Sequence, residues 1–275
     1  MTTLQAIALG IIQGLTEFLP VSSSGHLVIL QNLFGFKEPE LFFDISLHLG
    51  TLVATCLVFF REIRSVLQVV LTLPGLIRCP GDLKQLYGEN EPFRLAVLIC
   101  AASVPTAILG FFFHNIAEQL FGSVGMVGVM LLVTGGFLWA SRLSRPEGRP
   151  ILQVTLTDAL LIGLVQGIAV IPGISRSGST ISIALLLGIH RMVAGRFSFL
   201  MSIPAILGAV VLEFEIPQGP GAVSLQMVLL GTAFAGIVGY AALKILLRVI
   251  QQGHLYWFAL YCWLLGGVTL ALNYF

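Results

Sequence analysis

The chain has 275 residues, 57% of them hydrophobic and 10% charged, with a formal net charge of +1 and a mean hydropathy of +0.98. A water-soluble domain of this size could not cover its surface with so few polar groups, so the composition specifies a membrane protein and excludes a soluble globular enzyme. A charge balance near zero gives no case for nucleic acid as a partner. Cys56, Cys100 and Cys262 sit inside apolar runs and Cys79 between runs, with no CxxC or histidine-rich spacing. They read as small apolar residues, not as metal ligands or disulfide partners. The N-terminus lacks a basic region and a small-residue cleavage site, so no removable signal peptide is expected.

In chain order, the first apolar stretch is 4–34, interrupted by Gln13-Gly14-Leu15-Thr16-Glu17-Phe18-Leu19-Pro20-Val21-Ser22-Ser23-Ser24-Gly25-His26. Apolar segments near 42–60, 94–113 and 124–141 follow, each close to the ~20 residues a helix needs to cross ~30 Å of hydrocarbon. A second interrupted stretch, 158–189, carries Gln166-Gly167-Ile168-Ala169-Val170-Ile171-Pro172-Gly173-Ile174-Ser175-Arg176-Ser177-Gly178-Ser179-Thr180. Segments near 197–213, 225–247 and 255–274 complete the chain. The expected architecture is therefore an all-α polytopic membrane protein with six spanning helices.

Each arm of the two interrupted stretches is too short to span, so each stretch is either a re-entrant hairpin or one long broken helix. The distribution of Lys and Arg decides, because basic loops stay in the cytoplasm. If both stretches return to their own side, loops 61–94, 142–157, 190–196 and 244–254 together carry 12 of the 14 basic residues, against Lys37 alone on the opposite face. Only Arg176 is then left, inside a motif. If both crossed, the division would be 8 against 5. Two re-entrant helical hairpins are expected, with both termini outside the cytoplasm and only Glu17 and Arg176 among the charged residues deep in the membrane. Trp139, Trp257, Trp263, Tyr256 and Tyr274 near span ends read as interfacial anchors.

The halves repeat. Gln13 and Gln166, and Gly25 and Gly178, are each 153 residues apart, and each motif is followed by three spans. Because the first copy starts outside and the second inside, the expectation is one membrane domain, 1–275, with inverted-topology repeats of approximately 1–141 and 150–275. Inverted repeats with broken helices meeting at the midplane are a membrane design for polar ligands.

In each motif a Pro ends the descending arm and a serine-rich run starts the next helix, whose cap and dipole favour an anion. Two such N-termini facing one volume suit phosphate groups. Arg176 is a permanently charged, forked donor for phosphate oxygens, with Ser175, Ser177, Gly178 and Thr180 beside it. Ser23 and His26 are three apart, the spacing a hydroxyl nucleophile and its imidazole base would need. Gln13, Ser22 and Ser24 complete the polar set of the first copy. Glu17, one turn from Gln13, could hold a divalent cation or act as general acid or base. The plainer readings are capping serines, an interior His26 and a structural Glu17–Arg176 ion pair. His48 and His114 have no such polar neighbours in sequence and read as ordinary interior histidines.

The Gln13-xxx-Glu17 element, Pro20-Val21-Ser22-Ser23-Ser24-Gly25-His26, and Pro172 to Thr180 resemble the two signature motifs of the bacterial undecaprenyl pyrophosphate phosphatase family, the bacitracin-resistance type. The resemblance covers essentially the whole chain, including Arg196-Phe197-Ser198-Phe199-Leu200, with Gln13 standing where the family allows Glu or Gln. It implies hydrolysis of a C55 polyprenyl pyrophosphate to the monophosphate lipid carrier of cell-wall synthesis, at the outer side of the bacterial cytoplasmic membrane, aided by Mg2+ or Ca2+. In that reading Ser23 is the nucleophile, His26 its proton partner, Arg176 the phosphate anchor, and Glu17 binds metal or assists proton transfer; direct attack by water stays open. The rival reading is a transporter or flippase for a phosphorylated polyprenyl lipid, in which Glu17 carries a coupling proton. The sequence is silent on oligomeric state, a homodimer included.

Overall fold

A computed structural model describes residues 1–36, 40–76, 80–114, 116, 120–145, 147–213 and 223–274. Lys37, Arg78 and Cys79, and the side chains of His114 and Tyr274, lie outside the described residues. The described residues form twelve α-helices and no β-strand: α1 Thr3–Phe18, α2 Ser23–Leu33, α3 Leu41–Val58, α4 Phe60–Leu76, α5 Pro80–Glu89, α6 Glu91–His114, α7 Val124–Ala140, α8 Leu156–Ile168, α9 Arg176–Leu186, α10 Arg191–Glu213, α11 Leu225–Gln252 and α12 Phe258–Tyr274. Six stretches, Leu41–Val58, Glu91–Phe113, Val124–Leu143, Arg191–Leu212, Leu225–Gln252 and Leu255–Asn273, are long and apolar enough to cross a membrane. They lie where the sequence places its six spans, and the chain is a multi-pass membrane protein.

The segment 61–94 departs from the loop expected of it. Helix α4 continues directly from α3 past Phe59, and α5 follows before α6 begins. The reason is visible in the residues. Arg61, Glu62 and Arg64 alternate with Ile63, Val66 and Leu67 in an amphipathic pattern, and no Pro or Gly interrupts it before Pro74. Arg94 is also no surface charge: it is buried, with its guanidinium donating to the Val154 carbonyl at 2.7 and 3.2 Å and to the Tyr87 carbonyl at 3.0 Å.

The two interrupted stretches are helix pairs. Helices α1 and α2, of 16 and 11 residues, pack on each other across the break at 19–22, and α8 and α9, of 13 and 11, do so across 169–175. At ~1.5 Å per residue these helices are ~16–24 Å long, short of a ~30 Å hydrocarbon core. Their outer ends are set by matching caps. Thr2 and Gln5 form a capping box on α1, and Thr155 and Asp158 one on α8, where Arg149 also grips Asp158 through both carboxylate oxygens at 2.8 and 3.0 Å.

Packing between the halves is reciprocal. Helix α1 lies along α11, α8 lies along α6, and α7 along α12. Glycines let the backbones touch. A Cβ on Gly10 would fall 2.3 Å from the Gly231 carbonyl oxygen, and one on Gly163, 153 residues later, 2.0 Å from that of Ala102. Close approach of this kind is how helices associate where lipid removes the hydrophobic drive between them. The main core runs through Phe18, Phe59, Phe197, Phe199 and Leu246, with the Phe18 and Phe199 rings 5.8 Å apart.

Replacing Gly163 by Ala should therefore force α8 off α6 and cost about 1–3 kcal/mol, seen as a lower midpoint of thermal unfolding in detergent. Gly208→Ala, in α10 where nothing lies within 4 Å of the added methyl, should leave the midpoint unchanged or raise it slightly.

Candidate active site

Both breaks are held by hydroxyls. In the first, Ser22 is the one non-glycine at positive φ (68°) among the described residues, a conformation that costs about 1–3 kcal/mol and persists only when its surroundings impose it. Here they do. Its Oγ accepts from the Gly25 amide at 3.2 Å, capping α2, and from the Gly173 amide of the other break at 3.1 Å. In the second, Ser175 Oγ caps α9 through the Gly178 amide at 3.0 Å. Gly173 has φ 97°, and a Cβ there would meet the Val127 carbonyl oxygen at 2.6 Å, so only glycine fits. Thr134 of α7 clamps this turn, donating to the Gly173 carbonyl at 2.8 Å and accepting from the Ser175 amide at 2.9 Å.

The breaks meet face to face. Gly25 sits against Gly173 and Gly178 against Pro20, and Ser177 Oγ donates to the Phe18 carbonyl at 3.0 Å. At the junction Arg176 Nη2 pairs with Glu17 Oε1. The other carboxylate oxygen, Oε2, accepts from Ser23 Oγ at 2.6 Å and from Gln13 Nε2 at 3.1 Å, with His48 Nε2 at 3.5 Å. Glu17 is 7% exposed and Ser23 8%. Arg176 Nη1 is buried with no hydrogen-bond partner, a forked donor with one tine unused.

The residues expected to form the site divide into two groups. Glu17, Ser23, Ser24, Ser175 and Arg176 line one cavity of ≈ 360 Å³. Gln13 supports Glu17 from behind, and Ser22 caps α2. Ser177, Gly178 and Thr180, expected to hold phosphate, serve the scaffold instead. Ser177 and the Gly178 amide make the bonds just described, and Thr180 Oγ1 contacts the Arg176 carbonyl at 2.7 Å and Ser198 Oγ at 2.5 Å.

His26 directs its ring nitrogens to partners other than Ser23. Its Nδ1 donates to the Ser22 carbonyl at 2.7 Å, one turn back along α2, and its Nε2 bonds the Tyr261 hydroxyl of α12 at 2.8 Å, with the rings stacked 5.8 Å apart. Shared helical spacing put the two residues on neighbouring positions, but the backbone carbonyl captured the imidazole. His48, expected to be an ordinary interior histidine, lines the cavity in its place, as does the buried Asp44 one turn away. Asp44 is thus a further buried ionisable residue at the cavity beside Glu17 and Arg176, with Gln31 Nε2 donating to its Oδ1 at 2.7 Å. A signal for both was present: Asp44 and His48 are four apart in an apolar span, where polar side chains mark function.

A divalent cation does not fit Glu17 as the structure holds it. Its oxygens are taken by donors from Arg176, Ser23 and Gln13, with a guanidinium and an imidazole as neighbours, whereas Mg2+ and Ca2+ need oxygen lone pairs. Gln13 Oε1, buried without a partner, is a single amide oxygen. No group of three or more His, Cys, Asp or Glu able to hold a metal occurs among the described residues.

Away from this polar end, the same cavity is lined by Phe111, Phe113, Ile206, Ala209 and Leu212. A buried guanidinium with a free donor, two helix N-termini and an apolar extension together define a multi-pass membrane protein built around an anionic, amphiphilic ligand. The comparisons agree. The chain belongs to the bacitracin resistance protein BacA family, whose model matches residues 6–268. It is similar to undecaprenyl-diphosphatases from Desulfatibacillum aliphaticivorans, 47% identical over the whole of both chains, from Desulforapulum autotrophicum, 49% identical over 98% of each, and from Carboxydothermus hydrogenoformans, 41% identical over 99% and 98%.

Because Glu17 and Arg176 neutralise each other in a buried setting, Glu17→Gln or Arg176→Gln alone should each destabilise the protein by about 3–5 kcal/mol, since each strands an unpaired charge. The double variant should lose much less than the sum. Thermal unfolding of the four proteins in detergent measures the coupling.

Proposed function

We infer that this chain hydrolyses undecaprenyl pyrophosphate to undecaprenyl phosphate and inorganic phosphate, returning the lipid carrier for cell-wall synthesis and conferring bacitracin resistance. The observation that carries the reading is the Ser23 hydroxyl donating to Glu17 at 2.6 Å, beside the unpartnered Nη1 of Arg176, in a cavity whose far end is apolar. The family and the names of its relatives support the same activity.

The pyrophosphate occupies the polar end and the first isoprene units the apolar end. Arg176 Nη1 takes a phosphate oxygen, and the N-termini of α2 and α9 offset negative charge that shifts toward the leaving oxygen during transfer. Glu17 Oε2, already bonded to Ser23 Oγ, is the base that receives its proton as the oxygen attacks the terminal phosphorus. Glu17, with its oxygens engaged by Arg176, Ser23 and Gln13, would not hold a divalent cation such as Mg2+ or Ca2+; an ion of that kind arriving with the substrate would supply neutralising charge. The α1–α2 and α8–α9 pairs enter the bacterial cytoplasmic membrane from opposite faces as re-entrant hairpins of an inverted repeat, with both termini outside the cytoplasm and the site open to that side. The concentration of basic residues in the inter-span segments supports this orientation.

Purified protein in detergent should release phosphate from a polyprenyl pyrophosphate, and Ser23→Ala or Arg176→Ala should lower the rate by roughly 10²–10³-fold or more. Full release by Arg176→Ala would overturn the site. A reporter fused to the C-terminus should be active only outside the cytoplasm; activity inside would overturn the orientation.

A further inference from the structure

The proposed chemistry uses one carboxylate and leaves unassigned the group that protonates the departing oxygen and later deprotonates water. Two imidazoles lie near the breaks, and their surroundings differ. His26 has both ring nitrogens committed, to the Ser22 carbonyl and the Tyr261 hydroxyl, and does not line the cavity. His48 projects from α3 into the cavity with its side chain 27% exposed. Its Nδ1 must donate, because its partner at 2.8 Å is the Asp44 backbone carbonyl. Its Nε2 faces Glu17 Oε2 at 3.5 Å, the same oxygen that accepts from Ser23. With Nδ1 committed to the backbone, Nε2 is the ring nitrogen left to exchange protons with groups in the cavity. The other ionisable groups on the cavity wall are Asp44 on the same helix, Glu17 from α1 and Arg176 from α9.

We propose that His48 is the imidazole that moves protons in this active site, as acid in the first half of the reaction and base in the second. This rests on the site read above. In the first half, Ser23 Oγ bonds to the terminal phosphorus, the bond from that phosphorus to the bridging oxygen breaks, the Ser23 proton passes to Glu17 Oε2, and His48 Nε2–H protonates the departing undecaprenyl phosphate. In the second, water attacks the phosphoserine, giving its proton to His48 Nε2, while Ser23 Oγ leaves and recovers its proton from Glu17. Both residues end as they began, and no further reactant is needed. His26 instead ties α2 to α12.

The test is steady-state phosphate release from a polyprenyl pyrophosphate by His48→Ala, His48→Gln, His26→Ala and Ser23→Ala, each with and without added imidazole, with thermal unfolding checked in parallel. Loss of a positioned acid or base lowers turnover by roughly 10²–10⁴-fold. We expect that loss in kcat for both His48 variants with KM within about threefold, and at least a tenfold recovery by imidazole in His48→Ala alone, where the cavity is vacated. His48→Gln, close in size, reports the loss in a folded protein. Turnover within threefold of wild type in either His48 variant, a loss without imidazole recovery in His48→Ala, or recovery in His26→Ala overturns the proposal. Full activity in Ser23→Ala would instead bring down the underlying site reading.

Discussion

Backbone that leaves a helix inside a bilayer finds no water, so every amide and carbonyl it frees must be satisfied by protein. Both breaks here are sealed by protein groups, and the sealing creates the site. Neither break could be sealed alone. Ser22 of the first supplies an acceptor to the Gly173 amide of the second, Ser177 of the second supplies a donor to the Phe18 carbonyl of the first, and Thr134 of α7 closes the remainder. Once the turns are joined, the N-termini of α2 and α9 lie at a common junction, and the side chains that begin those helices, Ser23 and Arg176, arrive beside Glu17.

The Glu17–Arg176 pair then does two things that pull against each other. Each charge makes burial of the other tolerable, and pairing holds the hairpins in register. Yet only one tine of the guanidinium is used, and Glu17 Oε1 alone is engaged by it, which leaves Oε2 for the Ser23 hydroxyl and Nη1 for a ligand. The single-point contact keeps the pair structural and reactive at once.

Much of this was legible in the sequence. Six spans followed from run length, whereas the direct pairing of Glu17 with Arg176 was only the plainer of two readings of two charges set in apolar stretches. What failed did so for local reasons. Segment 61–94 was read by its charges, which hid the amphipathic period of α4. His26 was paired with Ser23 from helical spacing, but spacing says nothing about a backbone carbonyl one turn back that competes for the imidazole. His48 looked isolated because its partner, Glu17, is 31 residues away in sequence and reaches it only after α1 and α3 have packed. Ser177 and Thr180 looked like ligand donors, and no sequence pattern distinguishes a serine facing a cavity from one facing a neighbouring helix.

The glycine seams carry a consequence for motion. Helix α1 is seated backbone to backbone on α11, and α8 on α6, so each broken pair is riveted to a spanning helix from the opposite half of the chain. Proteins that expose a central site to alternate sides rock one repeat against the other. Here such rocking would have to shear two contacts in which a carbonyl oxygen occupies the place of a missing Cβ. The two seams therefore lace the halves of the chain together through backbone, and any relative motion of the halves has to part both at once.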